Sequence, residues 1–310
     1  MGARVRLVGR LITGFLAAAA GTFAVAQDPP PQADFNVSVN LVVLNVSVAD
    51  HGGHFVDQLP QSVFQILEDG VEQQIRVFRR EDAPVAVGLV VDNSGSMLRK
   101  LPDVVAAAGE FARSSNPQDQ MFVIHFNEHV SPSLPAGKPF VSDPDLLQAA
   151  MATIHARGQT ALYDAIDAAL THVRQSPLQK KVLIVLSDGG DNASRRRLED
   201  AIASIQQSDV IVYTVGLFDE YDHDRNPGVL KRLAKVSGGE SFFPKEISDA
   251  TAVLQAVSRD IRNQYTIGYA PTNDKRDGTY RQVRIKLTGR HSERWTARTR
   301  PGYVAAPGNQ

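Results

Sequence analysis

From residue 85 to residue 262 the chain alternates unbroken apolar runs with amphipathic ones, and this constrains the fold more than any other feature. "VAVGLVV" (85–91) and "VLIVL" (182–186) have no polar face. A strand reads this way only when both of its faces are covered, which is the condition of a parallel sheet between helical layers. The strand candidates are 85–91, 121–126, 181–187 and 210–215, with a weaker one at 240–243. Helical spacing runs through 101–114, 144–156, 161–174, 194–207, 227–236 and 247–262. In the third, Leu162, Ile166, Ala169, Leu170 and Val173 share a face. The expected fold class is α/β, a Rossmann-like doubly wound and mostly parallel sheet.

Both flanks read as β. In "FNVSVNLVVLNVSVAD" apolar residues occupy odd positions up to Leu41 and even positions from Val42, so a bulge or a change of sheet is expected near 41–43. "FQILEDGVEQQIRVF" (64–78) predicts two strands around the Asp69-Gly70 turn. After residue 262, strand patterns return at 264–271, 280–289 and 294–304. Each flank alone is marginal for a core, whereas together they approach the size of a small sandwich. The expected organisation is therefore an N-terminal β segment (35–82), an α/β domain (83–262) and a C-terminal β segment (263–304). The two β segments pack together, and 305–310 form a disordered tail. Two separate β appendages are the rival arrangement.

The first 26 residues resemble an export signal. Arg4, Arg6 and Arg10 precede the apolar run "LITGFLAAAAGTFAVA" (11–26), which ends in the A-x-A pattern Ala24-Val25-Ala26. No Arg-Arg pair is present there, which favours a Sec-type route and a periplasmic or secreted product. The run is short for an uncleaved membrane anchor, so no span is expected after cleavage. A proline-rich linker, "QDPPPQAD" (27–34), follows. Cleavage leaves 30 basic against 34 acidic side chains, without a basic patch for nucleic acid. The chain has no cysteine, which excludes disulfides, thiol catalysis, thiolate metal sites and lipid attachment through an N-terminal cysteine.

Ligands of open parallel sheets bind beyond the carboxyl ends of the strands. After the first strand comes "DNSGSM", with Asp92, Ser94 and Ser96 at every second residue; after "VLIVL" comes "SDGGDN", with Asp188; between two helical runs Thr160 lies in "GQTALYDA". These are hard oxygen donors without a histidine among them. They suit Mg²⁺ before Zn²⁺ or Cu²⁺, with Mn²⁺ and Ca²⁺ as alternatives. Each piece alone has a plainer reading. Ser96 and Thr160 could cap helices, and Asp188-Gly189 could be a turn.

The three segments in this order closely resemble the von Willebrand factor type A domain, and the D-x-S-x-S…T…D set looks like its metal-ion-dependent adhesion site. The resemblance covers about 83–262. With the "LEDG" hairpin and the terminal "RPGY", the whole layout is similar to bacterial exported proteins related to that family. The resemblance implies that Ser94 and Ser96 ligate the cation directly, Thr160 directly or through water, and that Asp92 and Asp188 hold coordinating waters, with direct ligation by one of them as the alternative. It also implies that a Glu or Asp side chain of a protein partner completes the shell, without catalysis. Asn93, Gln159, Asp191, Asp219, Glu220 and Asp222 are candidates for a partner-binding rim, the last three in the acidic stretch "DEYDHDR". Two other classes remain open: an envelope structural protein with a loop-bracing cation, and a metal-assisted hydrolase using Asp164 or Asp191 as base. The histidine pairs His51/His54 and His125/His129 lack a third ligand and read as structural. The sequence leaves the oligomeric state open.

Overall fold

The computed structural model describes residues 41–80, 82–219, 225–290 and 292–305. The expected export signal and proline-rich linker, the odd-phased half of the first strand pattern, Glu220, Asp222 and residues 306–310 lie outside them.

The middle of the chain forms a six-stranded sheet of β5 (Val85–Asp92), β6 (Gln120–Phe126), β7 (Val130–Pro132), β8 (Lys180–Ser187), β9 (Ile211–Gly216) and β10 (Ser241–Phe242). Their order is β10-β9-β8-β5-β6-β7, all parallel except β7. Six helices cover it: α1 (Leu101–Arg113), α2 (Pro144–Ala152), α3 (Leu162–Val173), α4 (Leu198–Gln206), α5 (Pro227–Ser237) and α6 (Ala250–Arg262). One core joins Val85, Val87, Leu89 and Val91 to α1, α2 and α6; the other joins Ala86 and Val90 to α3, α4 and α5. Every residue of β5 is buried, which accounts for its unbroken apolar run. The chain leaves β5 toward one helical layer and β8 toward the other, so the switch point of the doubly wound sheet lies between these two strands.

Strands of the two flanks interleave. β1 (Val42–Asp50) lies between β11 (Tyr265–Tyr269) and β13 (Trp295–Arg298), with β4 (Ile75–Arg79) beyond β11. In a second sheet β12 (Tyr280–Leu287) lies between β2 (Phe64–Glu68) and β14 (Gly302–Val304), with β3 (Val71–Gln73) beyond β2. Val42, Leu44, Val46 and Val48 from β1, Tyr265 and Ile267 from β11, and Ile66 and Val283 from the second sheet share one core, making a sandwich.

Several expectations change in detail. The run after Asp69-Gly70 is two strands, broken at Gln74: β3 stays with β2, while β4 crosses to the other sheet and pairs with β11. The even phase of β1 points into the core, and Leu41, the last odd-phased residue, is exposed. β7 had no separate signal, being three residues long with Pro132 at a sheet edge. Helix α4 starts at Leu198 rather than 194, because residues 191–196 close over the start of α3. Ala305 follows β14, and its N–H donates to the Thr279 carbonyl at 2.9 Å.

Candidate metal centre

Asp92 ends β5 beside the switch point and is fully buried. Its Oδ1 accepts the Ser94 N–H at 2.8 Å, and its Oδ2 accepts the Ser187 hydroxyl at 2.7 Å. The first of these closes an Asx turn, which lifts the chain out of the sheet. Ser94 then precedes a single 3-10 turn, Gly95–Met97, and its Oγ lies 3.1 Å from Ser96 Oγ. Ser96 Oγ donates to Asp188 Oδ2 at 2.6 Å, and Asp188 Oδ1 accepts the Gly190 N–H at 3.0 Å. Asp92, Ser94, Ser96 and Asp188 thus come together in one continuous hydrogen-bonded chain. Gly189 has φ +81°, and a Cβ there would lie 2.6 Å from the Asn226 carbonyl oxygen, so the turn after Asp188 requires glycine.

Thr160 arrives from the loop between α2 and α3 and is buried. The Gly95 N–H donates to the Gly158 carbonyl at 3.1 Å, tying this loop to the first. The Thr160 N–H donates to Asn192 Oδ1 at 2.9 Å, and its carbonyl accepts the N–H groups of Asn192 and Ala193, tying it to the third. A fourth loop contributes Glu128, whose Oε2 accepts the Gln159 N–H at 3.0 Å. Neither plain capping reading holds for Ser96 or Thr160. Ser96 bonds across to Asp188, and the first free N–H groups of α3 are taken by Asp191 and Ser194.

The rim candidates divide. Gln159 is exposed beside Thr160. Asn93 is 4% exposed and therefore not on the rim; its amide donates to the His155 carbonyl at 2.8 Å. Asp191 accepts the Tyr163 N–H at 3.0 Å and the Ser194 hydroxyl at 2.6 Å, so it anchors α3. Asp219 lies in the loop after β9. Sequence reasoning missed Ser187, Asn192 and Glu128, which position the loops. Ser187 alone carried a signal, as a hydroxyl closing an otherwise apolar strand. Three of the candidate histidines bond elsewhere, His125 to Ser133, His51 to the Glu293 carbonyl and His54 to Asp50, while His129 lies 4.0 Å from Glu128.

Burial pushes the Asp92 carboxyl up to about 6, and the charge of Asp188 adds to this, while the bonds from Ser187 and Ser94 oppose it. Two acidic groups therefore face a common space that disfavours their joint ionisation.

The von Willebrand factor type A domain family model matches residues 87–259, more than half of the chain. The chain belongs to that family.

Two solved structures share the fold of this type A domain. A von Willebrand factor type A protein from Catenulispora acidiphila aligns over 88% of this chain and 75% of its own, at 13% identity and a TM-score of 0.53. Proximal thread matrix protein 1 from the mussel byssus, in a structure with a zinc-occupied MIDAS motif, aligns over 63% of this chain and 49% of its own, at 15% identity and a TM-score of 0.51. An aerotolerance-related membrane protein from Bacteroides fragilis aligns over 57% and 98%, at 18% identity and a TM-score of 0.47. Comparison with curated protein sequences found no match.

The residues of this type A domain fit a small hard cation. Asp92, Ser94, Ser96 and Asp188 are joined by hydrogen bonds and the Thr160 backbone is tied to the Asn192 loop, and the 3.1 Å between Ser94 Oγ and Ser96 Oγ is close to the edge of an octahedron with metal–oxygen bonds of about 2.1 Å. A divalent ion would also relieve the repulsion between Asp92 and Asp188. Among the described residues, no group of three or more His, Cys, Asp or Glu side chains is placed to hold a metal. Any metal centre here therefore depends on the hydroxyls.

Proposed function

We propose that this protein is an exported, non-enzymatic adhesion module that captures an acidic side chain of a protein partner through a divalent cation, Mg²⁺ first, with Mn²⁺ or Ca²⁺ as substitutes. The observation that carries the reading is the hydrogen-bonded chain from Asp92 through Ser94 and Ser96 to Asp188, seated at the switch point of the sheet. Ser94, Ser96 and Thr160 would offer neutral hydroxyls to the ion, and Asp92 and Asp188 would hold its waters. A cation so held keeps most of its charge and supplies an electrophilic position for a carboxylate. Ser187 fixes the rotamer of Asp92, Asn192 sets the height of Thr160, and Glu128 braces Gln159 at the rim.

Two observations favour capture over turnover. Asp164 accepts the N–H groups of Arg195 and Arg196, and Asp191 is tied to Tyr163 and Ser194, so both candidate bases are engaged in holding the loops. Export rests on the arginines and the apolar run of residues 1–26. Among the described residues no helix is long and apolar enough to cross a membrane.

A pull-down from envelope extract tests the reading, with the wild-type protein in Mg²⁺, the same protein in EDTA, and the Asp188→Ala variant in Mg²⁺. A partner retained only by the wild type in Mg²⁺ is the expected outcome. Equal recovery of every bound protein under all three conditions would sink it.

A further inference from the structure

The β12–β13 hairpin carries a charge that the chain as a whole does not. Residues 281–300 hold seven basic side chains and one acidic, in a protein with 33 basic and 34 acidic. The basic residues are spread along two strands and their turn, so the sequence shows no run of them. Folding sorts them into two kinds. Arg281 is held by Asp277, Arg298 by Asp260 and Glu240, and Arg300 by Asp209. Arg284, Lys286 and Arg290 are exposed and have no ion pair among the described residues.

Two of these exposed cations line a groove of about 650 Å³. Strand β13 forms its floor. It flanks β12 on one side, and on the other the Arg298 guanidinium donates to the Gly238 carbonyl at the end of α5 at 2.7 Å. β12 contributes Arg284 and Lys286 to one bank, and α5 contributes Lys231 and Lys235 to the other. Both lysines are exposed and neither has an ion pair among the described residues. A cation in the last turn offsets the helix dipole, which accounts for Lys235 but not for the other three. The acidic residue in the lining, Glu240, is engaged by Arg298 at 3.2 Å. The spacing of charge is similar on the two banks: one helical turn, about 6 Å, on α5, and two strand residues, about 7 Å, on β12.

We propose that this groove binds a linear acidic polysaccharide, a chain of uronic-acid sugars. Its carboxylates would lie between the two cationic banks, and its ring faces would rest on the half-buried Ala297 and Pro301. Regular charge along both banks fits a polymer with one carboxylate per unit better than a single small anion. Three other polyanions fit less well. Because β13 flanks β12, an acidic peptide finds no free strand edge there to pair with. No aromatic side chain is among the described residues lining the groove, so the bases of a single-stranded nucleic acid have nothing to stack on. A flat anionic bilayer would meet the two banks and miss the floor between them. The site needs no metal ion and shares no residue with the three-loop centre, so neither stands or falls with the other.

The test uses a fluorescein-labelled decamer of galacturonic acid, read by anisotropy, with the protein kept in EDTA so that the three-loop centre takes no part. The expected result is saturable binding that weakens steeply as salt is raised. Lys231→Glu with Lys235→Glu on one bank, and Arg284→Glu with Lys286→Glu on the other, should each weaken it on the order of ten-fold or more. Arg290→Glu with Arg294→Glu reverses the same amount of charge outside the groove and should weaken it by less than about three-fold. Circular dichroism checks that each variant is folded. A loss confined to one bank, or an equal loss in the variant outside the groove, would overturn the proposal. So would equal affinity for polyglutamate, for single-stranded DNA or for vesicles of phosphatidylglycerol, and so would the absence of saturable binding.

Discussion

Asp92 is where the site acts most directly on stability. Its folded-state carboxyl titrates at about 6 against 3.8 in an ordinary environment, so the folded protein binds this proton more tightly than the unfolded chain does. That stabilisation is complete below about pH 4 and is lost as pH rises through 6, in total about 3 kcal/mol. Metal-free protein should therefore melt at a lower temperature at neutral pH than at mildly acidic pH, and Asp92→Asn should flatten the dependence; scanning calorimetry in EDTA reads both. Added Mg²⁺ should raise the midpoint of the wild type at neutral pH and leave the variant unmoved. The candidate donors were legible as a group in the sequence, because Asp92, Ser94, Ser96, Thr160 and Asp188 fall at strand and helix ends. Their supports were less so. Glu128 and Asn192 act through single bonds to the backbone of distant loops, and no local pattern announces such a bond.

Among the elements, α6 is fixed to the sandwich by one buried carboxylate. Asp260 accepts the Ser47 hydroxyl at 2.6 Å, the Tyr213 hydroxyl at 2.7 Å and an N–H of Arg298. It thereby joins the last helix to β1, β9 and β13. Replacing it by alanine leaves Arg298 without its buried counter-charge, so Asp260→Ala should cost about 3 kcal/mol in urea unfolding. The central strands and helices were legible because burial on one or two faces writes itself as periodicity. The break between β3 and β4 was not. Two strands of one run, each with its own partner sheet, look locally like a single longer strand, and the sheet change is set by β11, nearly two hundred residues away in sequence.

For the whole molecule, the interleaved sandwich makes the flanks interdependent. β1 has β11 and β13 as its neighbours, and both come from the C-terminal flank. A chain ending at Arg262 would leave the β1 face of Val42, Leu44 and Val46 exposed, and it should aggregate or be degraded when produced, as gel filtration and limited proteolysis would show. The doubly wound parallel sheet of the type A domain could be expected from the alternation of strands and helices, whereas the order of its strands, and which flank strand meets which, are decided only by packing. That order sets Asp92 and Asp188 on adjacent strand ends and makes a hard-cation site the central claim. Calorimetric titration of Mg²⁺ into metal-free protein at neutral pH tests it most directly. The account predicts one ion bound per chain in the wild type and none in Asp188→Ala, with the variant still folded by circular dichroism. Equal binding by both proteins, or no binding by the wild type, would contradict it.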